Sequence, residues 1–215
     1  MSVALSCPRC WGPVRSPDLM HSTWRCDGCG PVPPLHVPAR VDGDVAAWVV
    51  GQAAGTPVWV PWPLPAGWLV TGLAWAGDER SRAGATVVAL SGPAPVTAGP
   101  ADVLLVAEEP GVGLGTHLAG LDGADPGRYL PAGLDHEVPH AKVRADRWPT
   151  PLWAIGDRAD RSAYVGEAQG LWLFAIAWPA SAAYLFAEEW HLRDLGQGMP
   201  GDLVYGARSP YLPHR

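Results

Sequence analysis

Short apolar runs, broken by glycine, proline and charged residues, dominate the chain after residue 57. Runs of about four to eight residues are typical of buried or half-buried strands. The predicted strands are 58–62, 68–75, 85–90, 103–107, 142–144, 152–155, 163–167, 171–178 and 184–187. Few stretches show helical periodicity. The pattern therefore predicts a mostly antiparallel, β-rich α+β domain over residues 41–215.

One short helix is predicted ahead of these strands, within residues 41–54. Asp42 and Asp44 precede the apolar residues of this segment. Acidic side chains at a helix N-terminus interact favourably with the helix dipole, which supports the assignment.

The segment from Gly170 to Ala187 is uncharged and close to the length of a membrane-spanning helix. Pro179 lies in its middle, so the segment predicts two buried strands joined by a turn, and no membrane span. The N-terminus has neither a basic leader nor an apolar stretch of signal-peptide length. These observations predict a cytoplasmic location.

The four cysteines of the chain lie near its N-terminus, as Cys7-Pro-Arg-Cys10 and Cys26-Asp-Gly-Cys29. Two residues between cysteines allow a tight turn to direct both thiolates at one ion, and two such turns complete a tetrahedron. We therefore predict a four-cysteine zinc ribbon over residues 1–36, with one structural zinc ion. Four thiolates leave no open position for a catalytic water. Two disulfides are disfavoured because no secretion signal is present.

Nucleic-acid binding is a common role of zinc ribbons, but the charge of this one argues against it. Residues 1–36 carry three arginines against two aspartates, and four thiolates with a zinc ion add about −2. The whole chain has a net charge of −6. Without a basic stripe, protein contact or a purely structural role is favoured for the ribbon.

A proline-rich segment, residues 31–38, is predicted to be an extended linker between the ribbon and the main domain.

Within the main domain three short sequence blocks recur in the same order. An internal duplication would produce this repeat, but so would chance in a chain rich in Ala and Trp. The pairs of blocks are 56–59 with 150–153, 74–75 with 177–178, and 107–109 with 187–189. A true duplication would place the two Ala-Glu-Glu segments at equivalent strand ends.

A predicted strand followed by the glycine-rich turn Gly111–Gly115 is the most site-like stretch of the main domain. Leu118 occupies the third glycine position of the dinucleotide-binding fingerprint, and no P-loop lysine follows. The neighbouring Glu108 and Glu109 would repel phosphate. A structural turn is therefore favoured over a ligand loop.

Two further residues, His140 and Lys142, share one face if they lie in a strand. A histidine beside a carboxylate can serve as a general base or as part of a second metal site, although a solvated surface is favoured for these residues. A catalytic site therefore requires His140 and Lys142 to approach Glu108 and Glu109 in space, which the sequence does not show.

Three tryptophans alternate with prolines in the tract Val58–Trp68. Core packing of a rigid, extended segment is favoured over an aromatic surface for a peptide or a membrane.

The chain resembles a family of uncharacterised actinobacterial proteins that is defined only as a domain of unknown function. The resemblance covers nearly the whole length. It is carried by the two cysteine pairs, by residues 61–68, by residues 106–115, by residues 140–143 and by residues 149–153. It implies an N-terminal ribbon joined to one domain, and no functional residues beyond the cysteines.

Together these observations predict a non-catalytic binding or regulatory protein, whose zinc ribbon is structural or docks a protein. The alternative is a hydrolase or transferase, with Glu108, Glu109, His140 and Lys142 beside the Gly111–Gly115 turn. The sequence does not indicate which small molecule, if any, the protein binds.

Overall fold

The structure is a computed structural model and describes residues 3–78, 82–131 and 137–213. Strands form most of its regular structure. In chain order they are β1 (Val3–Ser6), β2 (Val14–Arg15), β3 (Arg25–Cys26), β4 (Gly30–Pro31), β5 (Leu35–Pro38), β6 (Trp59–Pro61), β7 (Leu69–Ala76), β8 (Ala85–Pro93), β9 (Pro100–Glu108), β10 (Ala141–Ala145), β11 (Trp148–Ala154), β12 (Ser162–Ala168), β13 (Leu171–Trp178) and β14 (Trp190–Asp194).

Two α-helices accompany the strands, α1 (Gly43–Ala53) and α2 (Leu114–Ala119). Short 3₁₀ helices span Gly127–Tyr129, Ala180–Ala187 and Leu195–Gln197. None of the helices in the described ranges is long and apolar enough to cross a membrane.

Eleven of these strands form one large sheet, in the order β1-β5-β7-β8-β9-β13-β12-β11-β10-β14-β6. Neighbouring strands run antiparallel except β10 and β14, which are parallel. The remaining strands, β2, β3 and β4, form a small separate sheet. The predicted β-rich α+β class with mostly antiparallel strands is confirmed, and the structure shows that the strands form one large sheet.

The central strands of the large sheet are apolar on both faces because both faces are covered. Alternate residues of β9 belong to two different cores, with Leu105 in one and Val106 in the other. The first face, which bears Leu105, is covered by α1 and by β6, which folds back over β8 and β9. The second face, which bears Val106, is covered by α2 and by segments from both ends of the described chain.

Helix α1 begins as predicted. Asp42 is its N-cap, and its carboxylate accepts a hydrogen bond of 2.9 Å from the backbone N–H of Val45. This bond satisfies one of the free N–H groups at the helix start. Val45 and Val49 are buried against the first face, so the helix is stabilised mainly by packing.

The prediction of an extended linker over residues 31–38 is wrong at its C-terminal end. Leu35–Pro38 is β5, which pairs with β1 on one side and with β7 on the other. Leu35 and Val37 are buried, while His36 stacks on Trp75 with ring centroids 3.9 Å apart. The cysteine-bearing residues therefore lie between two strands of the large sheet. The division of the chain at residue 36 stays a prediction.

The predicted strand at Tyr184–Ala187 is also wrong, because these residues end the 3₁₀ helix Ala180–Ala187. Ala182 and Phe186 are its buried residues, while Tyr184 is exposed. An apolar composition is compatible with both a strand and a short helix, and the small residues after Pro179 allow the tighter winding.

The large sheet has a symmetric centre. Strands β9 and β13 are neighbours, flanked by β8 and β12 and then by β7 and β11. The repeated sequence blocks do not follow this symmetry, since Ala74-Trp75 lies in β7 and Ala177-Trp178 in β13. Glu108 ends a strand, whereas Glu188 follows a 3₁₀ helix. The internal duplication stays a prediction.

Candidate functional site

The four cysteines converge as the spacing predicts. One ligand atom from each of Cys7, Cys10, Cys26 and Cys29 lies within 4.8 Å of the others. The sulfurs of Cys10 and Cys26 are 3.6 Å apart. Zinc–sulfur bonds of about 2.3 Å in a tetrahedron require sulfurs about 3.8 Å apart. The cluster therefore has the donors and the dimensions of a four-thiolate metal site.

The first cysteine pair lies on a tight turn. The backbone N–H of Cys7 donates to the carbonyl of Gly12 over 2.8 Å, and that of Trp11 donates to the carbonyl of Cys7 over 3.0 Å. A β-carbon on Gly12 would lie only 3.2 Å from the sulfur of Cys10. Glycine at this position leaves room for the sulfurs to approach one another.

The small sheet of β2, β3 and β4 carries the second pair. Cys26 ends β3, and Val14 of β2 packs against the buried core formed by Cys7, Cys26 and Val32. Burial raises the pKa of the Cys7 thiol, and a bound cation would offset that cost by favouring the thiolate. In the described residues this is the one group of three or more His, Cys, Asp or Glu side chains close enough to share an ion.

Arg9, inside the first cysteine pair, joins this segment to the second face of the large sheet. Its guanidinium donates to the carbonyl oxygens of Val112, over 2.9 Å, and of Gly111. A third hydrogen bond of 3.4 Å reaches the carbonyl of Cys29. The Gly111 and Val112 carbonyl oxygens of the glycine-rich turn are thus engaged by the Arg9 cation. The preference for a structural turn agrees with this geometry.

Glu108 stabilises the start of α2 from beneath. Its Oε2 accepts hydrogen bonds from the backbone N–H groups of Leu114, at 2.8 Å, and Gly115, at 3.0 Å. The side chain is fully buried, and Oε1 has no hydrogen-bond partner. Burial raises the pKa of Glu108 to about 8, the two N–H groups and then the charge of Arg9 oppose this, and Asp125 adds to it. Glu108 is therefore a buried helix cap.

The other three predicted catalytic candidates lie elsewhere. Glu109 is partly exposed and pairs with Arg82. His140 and Lys142 are exposed at β10, which three strands separate from β9 in the large sheet. The Nδ1 of His140 lies 3.3 Å from the backbone N–H of Ala154. The structure does not bring the four side chains together beside Gly111–Gly115.

A cleft of about 680 Å³ opens where the cysteine-bearing segment meets the second face. Its lining includes Trp11, His117, Arg158, Arg161, Trp178 and Tyr211. These residues come from the first cysteine turn, from α2, from the segment just before β12, from the end of β13 and from the C-terminal segment.

The walls of the cleft are aromatic and polar together. The Trp11 ring meets the His117 ring edge-on, with centroids 4.6 Å apart and planes at 86°. Trp178 stacks on Tyr211 at 4.2 Å. Arg161 lies over Trp178 and donates to the carbonyl of Leu118 over 2.7 Å.

No local sequence pattern indicates this cleft. Its residues are scattered over 200 positions of the chain and follow no local pattern. The only available signal was local, since Arg9 and Trp11 flank Cys10 within the first cysteine turn.

A second groove, of about 590 Å³, lies beside the Trp- and Pro-rich tract. Trp59 and Trp68 are buried, as core packing of the tract predicts, whereas Trp62 is half-buried and lines the groove with Tyr184. The tract therefore contributes both to the first core and to the surface.

Comparison with known proteins gives the family of the chain. Searches of curated proteins and of solved structures found no match. A protein-family model matches residues 1–212, nearly the whole chain. The chain therefore belongs to the family of unknown function DUF6758.

Proposed function

We propose that this is a zinc-binding protein with a non-catalytic binding role, in which one zinc ion organises the N-terminal segment. The observation that carries the proposal is the convergence of four cysteine sulfurs within 4.8 Å. Thiolates favour zinc among the common cellular divalent ions, and the tetrahedral set leaves no coordination position open for substrate.

The metal would do more than hold a small module together. Its first cysteine turn carries Arg9, which donates to the Gly111 and Val112 carbonyls, and Trp11, which contacts His117. Zinc would therefore fix one wall of the cleft on the second face. We infer that the binding function resides in this composite surface.

The alternative of a hydrolase or transferase loses its main support. It required Glu108, Glu109, His140 and Lys142 to share a pocket. Glu108 is sealed beneath α2, and β10 is three strands away from β9. No observation in the described residues favours that site.

A protein partner, expected from the sequence, stays a prediction. A feature that favours it is the loop between β2 and β3, where Leu19 and Met20 are exposed. Asp18 holds this loop by accepting hydrogen bonds from the N–H groups of Met20 and His21. The cytoplasmic location is likewise a prediction.

Elemental analysis of the purified protein tests the zinc proposal. We expect one zinc per chain in the wild type and in the control Ser22→Ala, which alters an exposed residue in the same segment. Cys26→Ser should lose the metal on dialysis against a weak chelator, because it removes a ligand. A metal-free wild type, or iron in place of zinc, would contradict the proposal. A second zinc would point to another metal site and reopen the enzyme alternative.

A further inference from the structure

We infer that the cleft between the first cysteine turn and α2 binds a small molecule that carries a flat ring and an anionic group. The cleft has the volume of a small-ligand pocket, since such pockets measure about 300–1,000 Å³. It is concave, and five separate parts of the chain contribute its walls.

The ring-binding part is formed by aromatic side chains. Trp11 stands at one side, edge-on to His117, while the Trp178 and Tyr211 stack forms another wall. Flat, polarisable surfaces of this kind bind planar rings through stacked or edge-to-face contacts. Leu121 and Leu212 add apolar area to the same lining.

The anion-binding part is Arg158. Its side chain is exposed into the cleft region and donates no hydrogen bond to any described residue. It lies against the backbone of Gly120, where a β-carbon would be 3.0 Å from Nε. The guanidinium of Arg158, which also attracts Asp160, presents a planar set of donors that matches a carboxylate or a phosphate.

The remaining charged groups define where the anion sits. Arg161 already donates to both carboxylate oxygens of Asp160 and to the carbonyl of Leu118. Asp122 also lines the cleft and would repel an anion, so the anionic group belongs at Arg158. A cationic ligand is disfavoured by the two arginines.

His117 supplies an uncharged polar group between the two parts. Burial, and then the charge of Arg161, lowers the pKa of His117. Its imidazole is therefore neutral near pH 7 and hydrogen-bonds a ring nitrogen or hydroxyl without adding charge.

Calorimetric titration of the full, zinc-loaded chain tests the inference with four probes. These are 2-naphthoate (ring and carboxylate), AMP (ring and phosphate), 2-naphthamide (ring alone) and inorganic phosphate (anion alone). We expect at least one ring–anion probe to bind with a dissociation constant of about 1 mM or tighter. The naphthoate and AMP arms separate a carboxylate ligand from a phosphate ligand.

Matched variants locate the binding. Arg158→Gln should weaken the ring–anion probe about tenfold, because it removes the charged hydrogen bonds. Arg147→Gln, which alters an exposed arginine between β10 and β11, should leave it unchanged. The inference is overturned if no ring–anion probe binds, if 2-naphthamide or phosphate binds as well as the best of them, or if Arg158→Gln has no effect.

The inference rests on the proposed function only through Trp11, and the two fail separately. Trp11→Ala should weaken the ring–anion probe several-fold with zinc still bound, and unchanged affinity would remove Trp11 from the site. If the protein holds no zinc but a ring–anion probe binds and Arg158→Gln weakens it, the ligand inference stands and the zinc proposal falls. If zinc is present and no probe binds, the zinc proposal stands and the ligand inference falls.

Discussion

The two faces of the central strands are covered by different kinds of contact. The first face packs against α1 and β6 through side chains such as Val45, Val49 and Val60, all apolar and buried. The second face buries Glu108 beneath α2. From the cysteine-bearing segment, Trp11 contacts α2 and Arg9 hydrogen-bonds the glycine-rich turn before it. One strand, β9, supplies residues to both faces.

The contacts on the first face stabilise the fold, whereas those on the second face also form the proposed binding surface. An apolar face tolerates change as long as volume is kept, because its contacts are non-directional. The second face depends on specific hydrogen bonds and on the buried carboxyl groups of Asp102 and Glu108, and a buried polar group is costly to leave unpaired. We therefore expect changes on the second face to be larger and to depend on pH and on metal.

The largest expected effect is the pH dependence of stability that Glu108 confers. Its pKa is about 8 in the folded protein and about 4.5 when unfolded. Because the folded-state pKa is raised, the stabilisation is complete below pH 4.5 and is lost as the pH rises through 8. Relative to Glu108→Gln, the free energy of unfolding of the wild type should fall by up to about 1.4 kcal/mol per pH unit in this window.

Urea titrations between pH 5 and pH 9 measure this difference. Gln keeps an oxygen that accepts from the Leu114 and Gly115 N–H groups, so the variant should fold. Asp125 raises and Arg9 lowers the pKa of Glu108, and both act on this charge in the wild type alone because Gln does not ionise. Parallel pH profiles for the wild type and Glu108→Gln would show that the carboxyl does not titrate in this window.

A glycine-to-alanine pair compares the helices on the two faces. On the second face, a β-carbon at Gly115 would overlap the ring of Phe174, and Gly115→Ala should cost about 3 kcal/mol. On the first face, Gly51 in α1 has open space around its Cα, and Gly51→Ala should raise stability by about 0.5–1 kcal/mol. Thermal or urea unfolding checks both, and equal effects would remove the contrast between the faces.

A smaller effect than that of Gly115→Ala is expected from Arg9, which joins the cysteine-bearing segment to the glycine-rich turn. Arg9→Met keeps the length of the side chain but removes its hydrogen bonds to Gly111 and Val112, and should cost about 1.5 kcal/mol. The matched control is Arg15→Met, since the exposed Arg15–Asp27 pair contributes about 0.5 kcal/mol or less. If Arg9→Met and Arg15→Met lower the free energy of unfolding equally in urea, at unchanged zinc content, the Arg9 hydrogen bonds do not stabilise the contact between the cysteine-bearing segment and the glycine-rich turn.

Much of the sheet was predictable because local pattern and tertiary structure agree there. Leu171–Trp178 is a strand both in the prediction and in the structure, because a short apolar run bounded by Gly170 and Pro179 favours a buried strand. The helix at Gly43–Ala53 follows from Asp42 and the apolar residues behind it. The local sequence pattern is therefore enough to identify these elements.

The elements that the sequence did not reveal depend on distant partners. Helix α2 contains Gly115 and follows Gly113, both poor helix formers, and it depends on the Glu108 carboxylate from β9. Strand β14 was missed because it pairs with β10 in parallel and with β6 far along the chain. Tertiary contacts decide such segments.

The candidate site likewise has one part that the sequence predicts, the cysteine cluster, and one that it does not, the cleft. The spacing of the four cysteines predicts their convergence, because two tight turns around one ion are a local geometry. The cleft could not be predicted, since Trp11, His117 and Arg158 come together only after the sheet has formed. Arginine also dominates the basic residues of this chain, so no single one stood out in the sequence.

Hydrogen exchange measured with zinc bound and after chelation tests the central claim most directly. We expect metal removal to increase amide exchange in residues 7–31 and also in the glycine-rich turn and α2, because the Arg9 and Trp11 contacts are lost. Helix α1 on the first face should keep its protection. An increase confined to residues 7–31, or one shared equally by α1, would contradict the claim that the metal segment organises the second face.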